Sequence, residues 1–269
     1  MAGFVRCLAV GVVLLLLFKS AVFANEDFSV KAVTEGDSTN SGSYYRFPLL
    51  QGGDAGVAAG INRQLAEDVL DIIPGEEKES LFENVRAKDN GMPPPLASVN
   101  YNIGRLDERL YSVTIEAEGC GAYCEYWEQS FNYDLSTGEL INPDVLFTEE
   151  GLQSVLEFVE KDVRGLLQGE LERLAALTAE ERAAEFESHE SYELAREMYQ
   201  DCLSGATFRS LTGMDVAVRG ETLRLAVPRC SNHALRALDV FGEFIFEMKL
   251  FDWDGNLSEY GRQILAASN

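Results

Sequence analysis

Two alternating apolar–polar runs meet at Cys120-Gly-Ala-Tyr-Cys124, and this junction constrains the chain more than any other stretch. Before it, Val113, Ile115 and Ala117 share one parity against Thr114, Glu116 and Glu118. After it, Trp127, Gln129, Phe131, Tyr133 and Leu135 oppose Glu128, Ser130, Asn132 and Asp134. A period of two sends successive side chains to opposite faces of a strand. The stretch therefore reads as two strands of an antiparallel sheet, one face covered and the other wet. Asp134-Leu135-Ser136-Thr137-Gly138 then turns the chain into a short strand at Glu139–Asn142, with Gly138 supplying the permissive backbone.

Whether the two cysteines form a bridge depends on compartment. The chain opens with a short cationic start, an apolar run at Cys7–Phe18, and small residues at Val22 and Ala24. This pattern reads as a secretory signal peptide over residues 1–24, cut after Ala24. The apolar run is too short for a membrane helix, which takes about 20 residues. The expected location is periplasmic or secreted, with no stable membrane insertion after cleavage. Four cysteines then remain: Cys120, Cys124, Cys202 and Cys230. An even count in an oxidising compartment reads as two disulfides. Of the three pairings, Cys120–Cys124 with Cys202–Cys230 is preferred, the first locking the corner and the second tying a helix end to a later hairpin. A four-cysteine zinc site would need a second knuckle that the spacing lacks, so no metal or cofactor is expected.

Loss of the leader removes Arg6 and Lys19, leaving 20 basic against 45 acidic residues, a charge of −25 compared with −23 for the whole chain. Nucleic acid is thereby excluded as a partner, since phosphate binding needs a basic face. The charge is compatible with a cationic partner, whose encounter rate a strongly negative surface raises, and equally with a role in keeping an exported protein soluble.

The remaining elements follow from periodicity. Phe28–Glu35 and Tyr44–Leu49 read as partner strands around the turn Gly36–Gly42, with Pro48 at an edge or an end. Val57, Ile61, Leu65, Val69 and Ile72 lie on one face of a helix over Asp54–Ile73, capped by Asp54 and stopped by Pro74-Gly75. Glu76–Asp89 is charged, with a short helical piece around Leu81–Val85. Leu96–Ile103 and Leu110–Glu118 form a hairpin. Glu149–Leu177 carries the longest apolar stripe, including Leu152, Val155, Val159, Val163, Leu166 and Leu174. Thr178-Ala179-Glu180-Glu181 is a capping box that starts a further helix, and Tyr192–Leu203 is another. Strands follow at Thr207–Leu211, Asp215–Arg219, Thr222–Val227 and Gly242–Phe251, then a terminal helix at Leu257–Ala266. No repeat of fixed period is visible. The fold class is α+β: antiparallel sheets packed against helices and stapled by disulfides. Residues 25–95 form an N-terminal strand–helix region and 96–269 a C-terminal α+β region. Asn90–Pro95 is either the linker between them or a rigid loop within one continuous domain, 25–269.

Tyr44–Leu70, with its tyrosine–proline strand and Ile61-Asn62 helix, and Ser98–Phe147, ending in Phe131-Asn132-Tyr133-Asp134-Leu135-Ser136-Thr137-Gly138, resemble an exported domain family. That family occurs in the extracytoplasmic part of lysozyme-sensing anti-sigma factors and beside some peptidoglycan deacetylases. The resemblance implies an α+β fold and, in some members, lysozyme binding. The chain departs from the anti-sigma members in its cleavable leader and its lack of a sigma-binding segment.

Candidate chemistry is sparse. His189 and His233 are the only histidines, and no nucleophile elbow, zinc-protease helix or phosphate loop accompanies them. Both read as structural or solvated. Asp252-Trp253-Asp254-Gly255 reads as a hairpin turn, its glycine misplaced for a calcium loop. Glu116, Glu118 and Glu125 lie on or beside the wet sheet face, with Tyr123, Tyr126 and Trp127 crowded at the cysteine corner. Core packing is the default reading of these aromatics, and a protein-binding hot spot, which uses rigid aromatics, is the other. The expected function is a non-enzymatic exported binding protein with an acidic surface, its partner a cationic envelope protein or a lysozyme. The alternatives are a carboxylate-based cell-wall glycan hydrolase, which would need two carboxyls some 5–9 Å apart, and a structural accessory domain.

Overall fold

In the computed structural model, residues 27–36, 44–86, 94–120 and 124–266 are described. The expected leader, the turn after Gly36, most of Asn90–Pro95 and Tyr123 lie outside them. Nine strands and five helices run through the described residues in the order β1 (Ser29–Gly36), β2 (Tyr44–Gln51), α1 (Ala55–Leu70), β3 (Leu96–Leu106), β4 (Leu110–Cys120), β5 (Cys124–Asp134), β6 (Glu139–Leu140), α2 (Glu149–Ala176), α3 (Ala179–Glu185), α4 (His189–Gly205), β7 (Asp215–Arg219), β8 (Thr222–Val227), β9 (Phe244–Lys249) and α5 (Glu259–Leu265). The first six strands form one sheet in sequence order, and β7-β8-β9 form a second. The class is α+β, with the larger sheet mixed: β2 meets β3 in parallel through Tyr44–Ser98 and Tyr45–Val99, while its other pairings are antiparallel.

The alternation read from the sequence sets the first core. Tyr111, Val113, Ile115 and Ala117 of β4 and Phe131 and Tyr133 of β5 are buried with Ile61, Leu65 and Val69 of α1. Asp54 caps α1 as expected, its carboxylate accepting from the N–H groups of Gly56 (2.7 Å) and Val57 (3.1 Å). The helix ends before Pro74-Gly75. Asp71 turns left-handed (φ 52°), and the Ile72 N–H reaches back to the Ala66 carbonyl, which returns Ile72 to the core.

The opposite face of this sheet, expected to be wet, is so only in part: Glu116, Glu118, Glu128 and Ser130 keep partial exposure, and the rest is covered. Ser112, Thr114, Asn132 and Asp134 are all buried, and the edge of the second sheet stands on Ser112 and Asn132. Asn132 Nδ2 donates to the Val216 carbonyl (2.6 Å), the Val218 N–H donates to Ser112 Oγ (3.1 Å), and Ser112 Oγ donates to Asn132 Oδ1 (2.7 Å). Ser130 Oγ donates to Asp215 (2.8 Å). Thr114 bonds Ser130 within the sheet (3.0 Å) and Asp134 accepts from the Tyr260 hydroxyl of α5 (3.0 Å), so this polar surface is buried without stranding its groups.

A second core gathers Val155, Val159, Val163, Leu167 and Leu174 of α2, Tyr192 and Tyr199 of α4, and Leu223, Leu225, Phe244 and Phe246 of the small sheet. Leu166, read as part of the α2 stripe, is 47 % exposed. The α3 capping box is present in both directions. Cys202–Cys230 ties α4 to the loop after β8, and Cys120–Cys124 closes the β4–β5 corner, so both preferred pairings are found.

Three expected elements differ. Residues 81–85 form turns rather than a short helix. Residues 207–211 form no strand: the Leu211 N–H and Ser210 Oγ both bond to the Asp144 carboxylate (2.7 Å each). Leu250–Asn256 is a 3-10 helix instead of a hairpin turn. Its end pairs with a twin. Asp144-Val-Leu-Phe-Thr-Glu-Glu-Gly151 and Asp254-Gly-Asn-Leu-Ser-Glu-Tyr-Gly261 share a 3-10 exit, a bridging residue, a hydroxyl N-cap and a glycine at the third helical position. Phe147 bridges Leu257, the Thr148 N–H donates to the Asn256 carbonyl (2.9 Å), and the Ser258 N–H donates to the Leu146 carbonyl (3.0 Å). The starts of α2 and α5 are locked together by this reciprocal clasp.

Candidate functional site

The β4–β5 ladder stays in register from Leu110–Asp134 to Cys120–Cys124, so the disulfide corner is the tip of a long hairpin. Its outer half leans on the segment after β8. There Glu125 sits among three bases: His233 Nδ1 at 2.8 Å, Arg236 at 3.0 Å and Arg229 at 3.6 Å. Glu128 lies 3.5 Å from Arg224 and 3.8 Å from Arg219, and accepts from the Tyr126 hydroxyl (3.1 Å). Arg224 also reaches Asp215 at 3.4 Å. The corner expected to be acidic is a network of both signs around a cleft of about 380 Å³ that includes Tyr126, Trp127, Arg224, Arg229 and Arg236.

The other expected residues are distributed around this network. Trp127 packs against the first core and also lines the cleft. Tyr126 is half exposed. Its partial burial, with the negative charge of Glu128 and Glu116, pushes its hydroxyl above the usual phenol range. Glu116 is half-buried, accepts from Asn102 Nδ2, and stands opposite Glu128 in the ladder. Glu118 lies beside Cys120 and Cys124, its carboxylate within 4.8 Å of the sulfurs. Those sulfurs are bonded to each other and offer no thiolate to a metal. His189 is exposed and stacks on Tyr192 at 6.2 Å, far in sequence from the cleft.

Solved structures similar to this chain include two of the DUF3298 family. A DUF3298 family protein from Bacteroides fragilis NCTC 9343 aligns over 89% of this chain and 96% of its own, at 12% identity and a TM-score of 0.49. A DUF3298 family protein from Pseudomonas aeruginosa PAO1 aligns over 88% and 96%, at 10% identity and a TM-score of 0.47. No family model and no curated protein matches the chain.

The bases of the cleft were the part missed from sequence. Arg224 interrupts the otherwise apolar run Leu223-Arg-Leu-Ala-Val227 and is 8 % exposed. A charge in such a strand signals a buried partner, which is the only hint the chain offered. Arg229, His233 and Arg236 lie in irregular segments without periodicity.

The surplus of acid lies elsewhere. Residues 149–205, spanning α2 to α4, hold 15 acidic and 5 basic side chains. Most of those acids are exposed, Glu172, Glu187, Glu197 and Asp201 among them.

Proposed function

We propose that the chain is an extracytoplasmic binding protein that works by contact, presenting its acidic helical layer to a cationic protein such as a lysozyme. The observation carrying this reading is the 15-to-5 excess of acid over base in residues 149–205, a negative field laid over α2, α3 and α4. Such a field steers positively charged partners and orients their approach. The two disulfides, and the lack among the described residues of a helix long and apolar enough to cross a membrane, fit an oxidising compartment outside the cytoplasm. The cysteine corner supports contact over bond-making, because Glu125 and Glu128 are held by arginines.

The test is binding of a basic lysozyme at physiological and at high salt. The wild type should bind at about 0.15 M salt and release as screening grows. A variant with Glu172, Glu187, Glu197 and Asp201 changed to their amides should bind at least tenfold more weakly. No binding at either salt, or binding indifferent to the four changes, defeats the reading.

A further inference from the structure

Two arginines lining the 380 Å³ cleft are paired less closely than an arginine far from it. Arg173 of α2 closes on Glu170 at 2.7 and 2.8 Å and on Glu185 at 2.6 and 2.9 Å, the lengths of charge-assisted bonds. Arg224, 8 % exposed, meets its acids only at 3.4 Å (Asp215) and 3.5 Å (Glu128). Arg229, its side chain 23 % exposed, meets Glu125 at 3.6 Å, beyond hydrogen-bond reach. A guanidinium carries five N–H donors. Among the described residues Arg224 spends one of them, on the long contact to Asp215, and Arg229 spends none.

The acids around them are committed elsewhere. Asp215 accepts from the Ser130 N–H (2.5 Å) and hydroxyl (2.8 Å). Glu128 is shared among the Tyr126 hydroxyl, Arg219 and Arg224, and Glu125 among Arg229, His233 and Arg236. Asp239, which also lines the cleft, accepts from the N–H groups of Ser231 (3.2 Å), Phe241 (3.1 Å) and Gly242 (3.3 Å). Glu243, the remaining acid of the lining, is exposed. A second observation is independent of the arginines. Ser231 lines the cleft at 8 % exposure, and its buried hydroxyl has no hydrogen-bond partner among the described residues. A buried hydroxyl without a partner and a buried guanidinium with unspent donors are both costly. Water relieves the first but brings no charge to the second. An oxyanion relieves both, accepting from a guanidinium fork and from a hydroxyl at once.

We propose that this cleft binds a small oxyanion, a carboxylate or a phosphate, through Arg224, Arg229 and the Ser231 hydroxyl. Both ligand chemistries offer paired oxygens to a guanidinium, which is the feature that arginine recognises. The site is separate from the acidic helical layer, since α2, α3 and α4 supply none of its lining. The net charge of −23 repels anions from the chain as a whole. Saturable anion uptake therefore reports a local site.

Calorimetric titration of the full chain tests it, with sodium phosphate and separately with sodium succinate, each up to about 50 mM, a range that covers a weak site. Sodium chloride keeps the ionic strength at about 0.15 M, so that screening stays constant. At least one of the two anions should bind saturably, with a Kd of about 5 mM or tighter, and the one that binds names the oxyanion the cleft takes. Arg229→Gln should weaken binding about tenfold or more, and Ser231→Ala about three- to tenfold. Arg63→Gln, on the exposed side of α1, should leave it unchanged. Arg229 is partly exposed and Ser231→Ala removes only an unpartnered hydroxyl, so both variants should melt near the wild type. Failure of both anions to bind saturably overturns the proposal. So does binding that either cleft variant retains at full strength.

Discussion

Gly261→Ala probes the clasp between the starts of α2 and α5. A Cβ at Gly261 would lie 1.9 Å from the Leu146 carbonyl oxygen and 2.7 Å from its carbon, and one at Gly151 would lie 2.0 Å from the Asn256 oxygen. Carbon needs well over 3 Å from such atoms, so the backbones must part by more than about 1 Å. Both obstacles are main chain and cannot rotate away. Overpacking costs about 1–3 kcal/mol. Separating the Ser258–Leu146 bond costs roughly 1 kcal/mol more. Against this, glycine to alanine in a helix gains at most about 1 kcal/mol. The net expectation is a loss of about 1–3 kcal/mol, or about 2–10 °C in Tm for a chain this size. Gly165 and Gly169 are the controls: both are exposed in α2 with nothing within 4 Å of a Cβ, so alanine there should stabilise by about 0.5–1 kcal/mol. Urea unfolding followed by circular dichroism measures all three. If Gly261→Ala is as stable as Gly165→Ala, the close approach is not what holds these helices together.

The disulfides should differ in worth. Cys202–Cys230 spans 28 residues and Cys120–Cys124 only 4, so loop-closure entropy assigns them about 3.5 and about 2 kcal/mol; paired serine substitutions compared by thermal melting should preserve that order. Asp107 should give an acid-dependent loss of stability. Burial alone would raise its pKa, but the N–H groups of Arg109 (2.8 Å) and Leu110 (2.9 Å) and the Arg105 guanidinium outweigh it and hold the carboxyl below its usual value. A depressed pKa stabilises the fold above about pH 4 and releases that stability as pH falls through the folded value. Asp107→Asn should therefore cost about 1–3 kcal/mol near neutrality, with the gap to wild type closing below about pH 4 in unfolding titrations.

Local pattern revealed most elements of this fold. The alternation through Val113–Ala117 and Phe131–Leu135, the Asp54 cap and the Thr178 capping box each depend on neighbours a few residues away, and each is present. What stayed hidden depends on partners distant in sequence. Asn132 read as solvent-facing because a strand written in polar letters looks the same whether water or a β-edge satisfies it; its partner Val216 lies 84 residues on. The same holds at the cysteine corner. Glu125 was visible as an acid beside aromatics, but the charge of its surroundings is set by Arg236, which joins it across 111 residues. Neither partner has a periodic signature, since Arg236 sits in a single 3-10 turn.

That difference bears on how the small sheet is built. Burying the β7 edge used a matched pair of side chains, Ser112 and Asn132, each serving one outward main-chain group and each bonded to the other. A serine–asparagine pair so placed has a purpose only if an unsatisfied strand edge beneath a second sheet is costly, as desolvated N–H and C=O groups are. β9 runs under the same physics with its outward groups uncapped by any side chain of the first sheet. Among the described residues the β7 edge is closed from within the chain by the large sheet, and no strand lies beyond β9.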